Sequence, residues 1–187
     1  FLSVLDKGSS KADDMVEVGS AGRLQVAPGV RPVVDAERSP KPLMTVKECL
    51  AHSSNVGMSK LAYKAFGHKP ESIKEYFHRF GFDQRSPVDL SSVPKPTMAP
   101  LGTKNGESGL GNMLWMSFGY GIQVSPLHTL TLYNAVANNG KMMKPYLVNS
   151  IRTNGIVTQQ FLPQVLEEQI CKPDVVKHAR EAMEMVV

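Results

Sequence analysis

Thr45-Val46-Lys47-Glu48-Cys49-Leu50-Ala51-His52-Ser53-Ser54-Asn55-Val56-Gly57-Met58-Ser59-Lys60-Leu61-Ala62 is the stretch on which the rest of the chain depends. Thr45 followed three residues on by Glu48 is a capping-box pattern, a hydroxyl at the cap and a carboxylate that reaches back to it. It opens a short helix ending near His52. Met58, Leu61, Ala62 and Ala65 recur at helical spacing, so a second helix starts almost at once. With an extended link between the two helices, Ser53 and Asn55 project to one side and Ser54 to the other. A hydroxyl and a carboxamide, each able to donate and accept, then lie side by side. Held by two packed helices, such a pair can serve as a proton relay and a substrate clamp. A Ser-x-Asn taken alone is more often a cap or a loop element.

The surroundings decide between these readings. Ser53-Ser54-Asn55-Val56-Gly57-Met58-Ser59-Lys60-Leu61-Ala62 resembles the second active-site motif of the class B penicillin-binding transpeptidases. Phe80-Gly81-Phe82-Asp83 with Val88-Asp89-Leu90 is similar to a Phe-Gly-Phe-Gly…Gly-Ile-Asp-Leu segment of that family. Ser117-Phe118-Gly119-Tyr120-Gly121, Val124-Ser125-Pro126-Leu127 and Ala137-Asn138-Asn139-Gly140 resemble the stretch before its last active-site strand. Ordered matches over roughly a hundred residues are far more specific than one tripeptide. Trp115-Met116-Ser117-Phe118-Gly119-Tyr120 and Asn138-Asn139-Gly140-Lys141 look closest to the division-type enzymes.

The resemblance implies an α+β fold: the mostly helical part of a penicillin-binding-protein or serine β-lactamase-like transpeptidase domain. It would carry short β-hairpins and lack the main strands of the central sheet, so residues 1–187 form a partial domain. It also implies a serine acyltransferase that cross-links peptidoglycan stem peptides through an acyl-enzyme and is acylated by β-lactams. Ser53 would then pass a proton between a lysine base and the leaving amine. Asn55 would bind that lysine and the substrate amide carbonyl, while Ser54 faces away and is structural. Tyr120 is a further candidate for substrate contact, although Gly119 and Gly121 read first as shaping a tight turn. The partners implied are stem peptides, β-lactams and a membrane-anchored cell-wall synthesis complex, at the periplasmic or outer face of the bacterial cytoplasmic membrane. No cofactor is implied.

The chain departs from the family in two places. It has neither Pro-Gly-Ser-x-x-Lys nor Lys-Thr-Gly; Ser9-Ser10-Lys11 has the wrong spacing, and Gly102-Thr103-Lys104 reverses the order. Phe1 to Leu5 reads as the end of a helix stopped at Gly8, and Met185-Val186-Val187 breaks off in mid-pattern, as in an interior piece of a longer protein that is inactive alone. Two other readings stay open. One is a catalytically dead or β-lactam-sensing module on the same scaffold, marked by a missing serine upstream of Phe1. The other is a plain helical interaction domain, against which the ordered Gly119-Tyr120-Gly121 and Ser125-Pro126 patterns stand.

Composition sets the outer bounds. The chain has 187 residues, 42% hydrophobic and 20% charged, ordinary for a globular domain with a real core. Lys and Arg number 21 against 17 Asp and Glu, a net +4 with no basic run, which gives no footprint for nucleic acid. No apolar run approaches the ~18 residues of a membrane helix. Cys49 and Cys171 make no disulfide framework, although one bridge between them stays open. The five histidines show no metal-ligand spacing, so no metal site is expected.

The remaining segments read as follows. Met15 to Val18 and Leu24 to Val26 flank Gly19-Ser20-Ala21-Gly22 and predict a β-hairpin. Residues 70–80 predict a helix opened by Pro70, with Ile73, Tyr76, Phe77 and Phe80 on its core face and Gly81 at its end. From Ser91 to about Leu114, proline and glycine without periodicity predict a long loop. Ser125-Pro126 opens a helix to Asn139 that is apolar nearly all round, as a buried central helix should be. Two strands, at 143–151 and 156–161, precede a last helix opened by Pro173, with Val175, Ala179, Ala182 and Val186 as its stripe.

Overall fold

The computed structural model describes residues 1–19, 22–37, 41–102 and 109–186. The Ser20-Ala21 tip of the expected hairpin, Pro40, Thr103-Lys104, Gly106 and Val187 lie outside them. The fold is α+β, with helices α1 (Leu2–Asp6), α2 (Val46–Ala51), α3 (Asn55–Phe66), α4 (Lys74–Arg79), α5 (Gly109–Met116), α6 (Pro126–Ala137) and α7 (Pro173–Glu184). Strands β1 (Met15–Glu17), β2 (Arg23–Leu24), β3 (Val33–Val34), β4 (Leu43–Thr45), β5 (Thr97–Met98), β6 (Ile122–Gln123), β7 (Met142–Met143), β8 (Ser150–Thr153), β9 (Ile156–Gln160) and β10 (Val165–Glu167) form separate antiparallel pairs.

The core is built around α3. Val56, Leu61, Ala62, Ala65 and Phe66 are buried on it, against α1, α2 and α5. Burying a side chain of Leu or Phe size contributes about 1.5–3 kcal/mol, so this face outweighs the modest amphipathicity of the helix. On the far side α7 closes over α1, α2 and α6 through Val175, Val176, Ala179 and Ala182. Its expected stripe gains Val176 and loses Val186, which is 64% exposed beyond the helix end.

The hairpin expected over residues 15–26 does not form. β1 pairs instead with β4, Met15 opposite Thr45 and Glu17 opposite Leu43, while β2 pairs with β3 in a ladder nested inside the first. The reason is burial: Val16, Val18 and Met44 reach the same core, and the β1–β4 ladder sets Val16 opposite Met44. This outer ladder delivers Thr45 to the cap of α2.

Three other expectations change. The segment 91–114 is not loop throughout, because α5 occupies its end and β5 pairs with β6. Gly109 and Gly111 hid that helix from propensity, but Met113, Leu114 and Met116 are buried and tertiary packing overrides the glycines. α4 is preceded by a 3-10 turn at Pro70–Ile73, and the expected core face holds, with Ile73 and Phe80 buried. α6 is not buried all round: Leu130 is 62% and Tyr133 53% exposed, because α7 and β7 cover only part of it.

In the C-terminal third, β8 and β9 form a hairpin over Asn154-Gly155, both left-handed at φ +51° and +81° as a two-residue turn of this kind requires. Residues 144–149, expected as strand, are not; β7 pairs with β10. Both cysteines are free and buried, which settles the pairing left open by the sequence.

Candidate active site

The capping box forms as the sequence dictates. Thr45 Oγ1 accepts from the Glu48 N–H at 3.2 Å, and Glu48 Oε2 accepts from the Thr45 N–H at 2.7 Å. Lys41 binds the other carboxylate oxygen at 2.6 Å. This ammonium first, and the Thr45 backbone second, hold the Glu48 carboxyl below its ordinary range.

The link after α2 is not extended. The Ser53 N–H donates to Leu50 O at 3.0 Å and the Ser54 N–H to Cys49 O at 2.9 Å, the paired bonds of a Schellman helix end. They place Ser53 in the left-handed region, at φ +50°. The same chain ends α1, α4 and α5 with the same two bonds around Gly8, Gly81 and Gly119. Where those ends use glycine, this one uses a serine, exposed to solvent, at a cost on the order of 1 kcal/mol.

Ser54 turns the other way. It is 2% exposed and caps α3, its Oγ accepting from the Gly57 N–H at 3.0 Å. Asn55 is the first residue of α3, half-buried, with Nδ2 donating to Val34 O at 2.8 Å. One amide hydrogen and the carbonyl oxygen of its carboxamide are left for other partners. Ser53 and Asn55 therefore lie accessible on either side of an inward Ser54, although the backbone route to that arrangement is a helix end rather than a strand.

Three supporting residues carry no signal in the local sequence. Asp35 accepts from Ser54 Oγ at 3.1 Å and from the Val56 N–H at 2.8 Å. Nothing in local spacing connects it to a corner 19 residues later. Gly57 lies against Cys49. Ser59, fully buried one turn beyond Asn55, donates to Leu114 O at 3.2 Å, and Ser117 Oγ donates to the same carbonyl at 2.6 Å. These bonds tie α3 to the end of α5, immediately before Tyr120.

Tyr120 sits on the turn that Gly119 and Gly121 shape, at φ +102° and +70°, and is 61% exposed. Its ring packs edge-on against Trp115 and Phe118, each at 5.5 Å between centroids. Among the described residues no hydrogen bond joins it to Ser53 or Asn55. Ser92-Val93-Pro94-Lys95 does carry the spacing Ser-x-x-Lys, but it is exposed irregular chain broken by Pro94, so its serine and lysine do not share a helical face. Among the described residues no cluster of His, Cys, Asp and Glu is placed to hold a metal, and no helix is long and apolar enough to cross a membrane.

Comparison with known proteins places this chain in a family. Residues 21–187 match the model of the penicillin binding protein transpeptidase domain. Over 136 residues the chain is 29% identical to penicillin-binding protein PbpB of Mycolicibacterium smegmatis, covering 72% of this chain and 20% of that protein. It is 28% identical over 102 residues to the probable peptidoglycan D,D-transpeptidase FtsI of Caulobacter vibrioides, covering 54% and 16%. Among solved structures, a peptidoglycan glycosyltransferase from Burkholderia ambifaria superposes with a TM-score of 0.77 at 25% identity, over 99% of this chain and 52% of that one. The chain thus spans about a fifth or less of these curated relatives' length (20% and 16%) and about half of that solved chain (52%). With the motif, the fold and the matched residues in agreement, the chain belongs to the penicillin-binding-protein transpeptidase family.

Proposed function

We propose that this chain is part of a serine-type peptidoglycan D,D-transpeptidase of the division type, with Ser53 and Asn55 in its active site. The observation that carries the reading is Ser53 itself. A side chain held at φ +50°, where three other helix ends of the chain use glycine and α6 uses Asn139 at φ +55°, costs stability. Strain of this kind collects at functional sites.

In this reading the nucleophilic serine and its lysine, and the Lys-Thr-Gly strand, come from parts of the protein beyond this chain, which alone is inactive. The nucleophile's oxygen attacks the penultimate carbonyl of a stem peptide. The bond to the terminal D-alanine breaks, and the proton lost by the serine reaches the leaving amine through the Ser53 hydroxyl. The remaining amide hydrogen and carbonyl oxygen of Asn55 orient the substrate carbonyl and the lysine, and the Tyr120 ring borders the substrate. β-Lactams would enter by the same route; penicillin binding protein 3 from Mycobacterium tuberculosis, which shares this fold, has been solved in complex with aztreonam. The protein would work at the outer face of the cytoplasmic membrane, anchored within a cell-wall synthesis complex.

The test is acylation of the full-length protein by a labelled penicillin, followed by intact mass and peptide mapping. One acyl group should appear, on a serine of a Ser-x-x-Lys motif outside this chain. Asn55→Ala should slow acylation on the order of 100-fold, as removal of a preorganised donor does, with little change in melting temperature. No adduct on the unmodified protein contradicts the reading and favours a dead or sensing relative.

A further inference from the structure

One carboxylate controls both neighbours of Asn55. Asp35 takes the Ser54 hydroxyl at 3.1 Å on Oδ2 and the Val56 N–H at 2.8 Å on Oδ1, while the carbonyl of the preceding Val34 takes Asn55 Nδ2 at 2.8 Å. Two consecutive residues at the end of β3 therefore fix three consecutive residues at the start of α3. We propose that Asp35 is a positioning residue for the transpeptidase reaction, holding Ser53 and Asn55 in their reactive geometry through Ser54 and Val56; this rests on the function proposed above.

The physics favours a carboxylate at this place. The first N–H groups of α3 have no partner within the helix, and Ser54 satisfies only that of Gly57. The Asp35 oxygen on Val56 makes a charge-assisted bond at the positive end of a helix of 12 residues. Ser53 needs that support. Its left-handed backbone is fixed from the α2 side by the two bonds to Leu50 and Cys49. From the α3 side it is fixed through Ser54, whose hydroxyl donates to Asp35. A strained residue persists where its surroundings over-determine it, and Asp35 supplies the second half of that constraint.

Asp35 is itself placed with care. Its N–H donates to Gly22 O at 2.7 Å, and a Cβ on Gly22 would stand 3.2 Å from the Asp35 Cβ. Leu24 pairs with Val33, so the nested ladder carries the strap across the corner. That gives β2 and β3 a purpose beyond packing.

The experiment compares unmodified full-length protein with Asp35→Ala and Asp35→Asn by stopped-flow acylation with a fluorescent penicillin. It separates the non-covalent dissociation constant from the acylation rate constant. Each protein is studied well below its own melting temperature and normalised to the fraction that can be acylated. Asp35→Ala should lower the rate constant about tenfold or more, as small misplacements of reacting groups do, with the dissociation constant unchanged. Asp35→Asn keeps Oδ1 for the Val56 N–H and its longer 3.3 Å contact with Ser54 Oγ but loses the 3.1 Å acceptor Oδ2, and should fall in between. A lowered melting temperature with an unmodified rate constant in both variants overturns the proposal and makes Asp35 a stability residue. If Asp35→Ala does not fold, Asp35→Asn decides alone, an unmodified rate overturning it and a reduced rate supporting it. Absence of acylation in the unmodified protein instead removes the transpeptidase reading, and this inference with it.

Discussion

The Cys49 sulfur fills the space that any side chain at position 57 would need. A Cβ built on Gly57 would stand 2.6 Å from Cys49 Sγ and 2.9 Å from Cys49 Cβ. The close crossing of α2 and α3 sets the width of the corner that presents Ser53 and Asn55, so glycine at 57 is a packing requirement rather than a turn signal.

Gly57→Ala should therefore destabilise the protein by about 1–3 kcal/mol, the usual range for an overfilled core. Urea unfolding measures it. Adding Cys49→Ala should restore part of the loss and not all, because the clash with the Cβ of residue 49 remains. Full additivity of the two substitutions would mean that the helices do not meet here.

Burial pushes the Cys49 thiol up from 9.0 to about 12, with the Asp35 and Glu48 charges adding to it, and burial does the same to Cys171, also to about 12. The folded state keeps both thiols neutral while the unfolded chain ionises them near their ordinary value of 9.0. Their contribution to stability is thus whole below that value and lost progressively as pH rises toward 12. Stability measured from about pH 8 to 11 should fall, and the fall should shrink in a Cys49→Ala, Cys171→Ala variant. Neither thiol should react with a maleimide at about pH 7 until the protein unfolds.

Ser54→Ala removes a cap and should cost about 1 kcal/mol of stability. The Asp35 bond to the Val56 N–H and the Val34 bond to Asn55 do not depend on the hydroxyl, and Ser54 faces the core. Acylation of the full-length protein by penicillin should therefore fall about as far as in Asp35→Asn, which weakens the same bond, and stay well above Asn55→Ala. A collapse of the rate equal to that of Asn55→Ala would place Ser54 in the reaction.

What the sequence made legible was local. Thr45 and Glu48 stand three residues apart, so their mutual capping needed no knowledge of the fold. The inward turn of Ser54 between two accessible residues was also readable, though from a wrong backbone: the Schellman bonds that bend Ser53 leave no composition signal without a glycine. The rest was nonlocal. β1 chose β4 over its sequence neighbour because Val16, Val18 and Met44 share one core face. α5 was hidden by its own glycines, and Gly109 is needed because a Cβ there would run into the carbonyl of Leu101. Asp35 meets the corner only after the nested ladder has closed. Leu130 and Tyr133 gave α6 the pattern of a buried helix, yet the described residues leave that face open.

The most direct measurement is a comparison of Ser53→Gly with the unmodified full-length protein, by thermal melting and by the rate of acylation with a labelled penicillin. Glycine relieves a left-handed conformation that costs a serine about 1–2 kcal/mol, against about 0.4–1 kcal/mol of added chain entropy when unfolded. The melting temperature should hold or rise, while acylation slows about 100-fold or more with the relay hydroxyl gone. A variant that melts lower and acylates at the unmodified rate would show that Ser53 serves the fold and not the reaction.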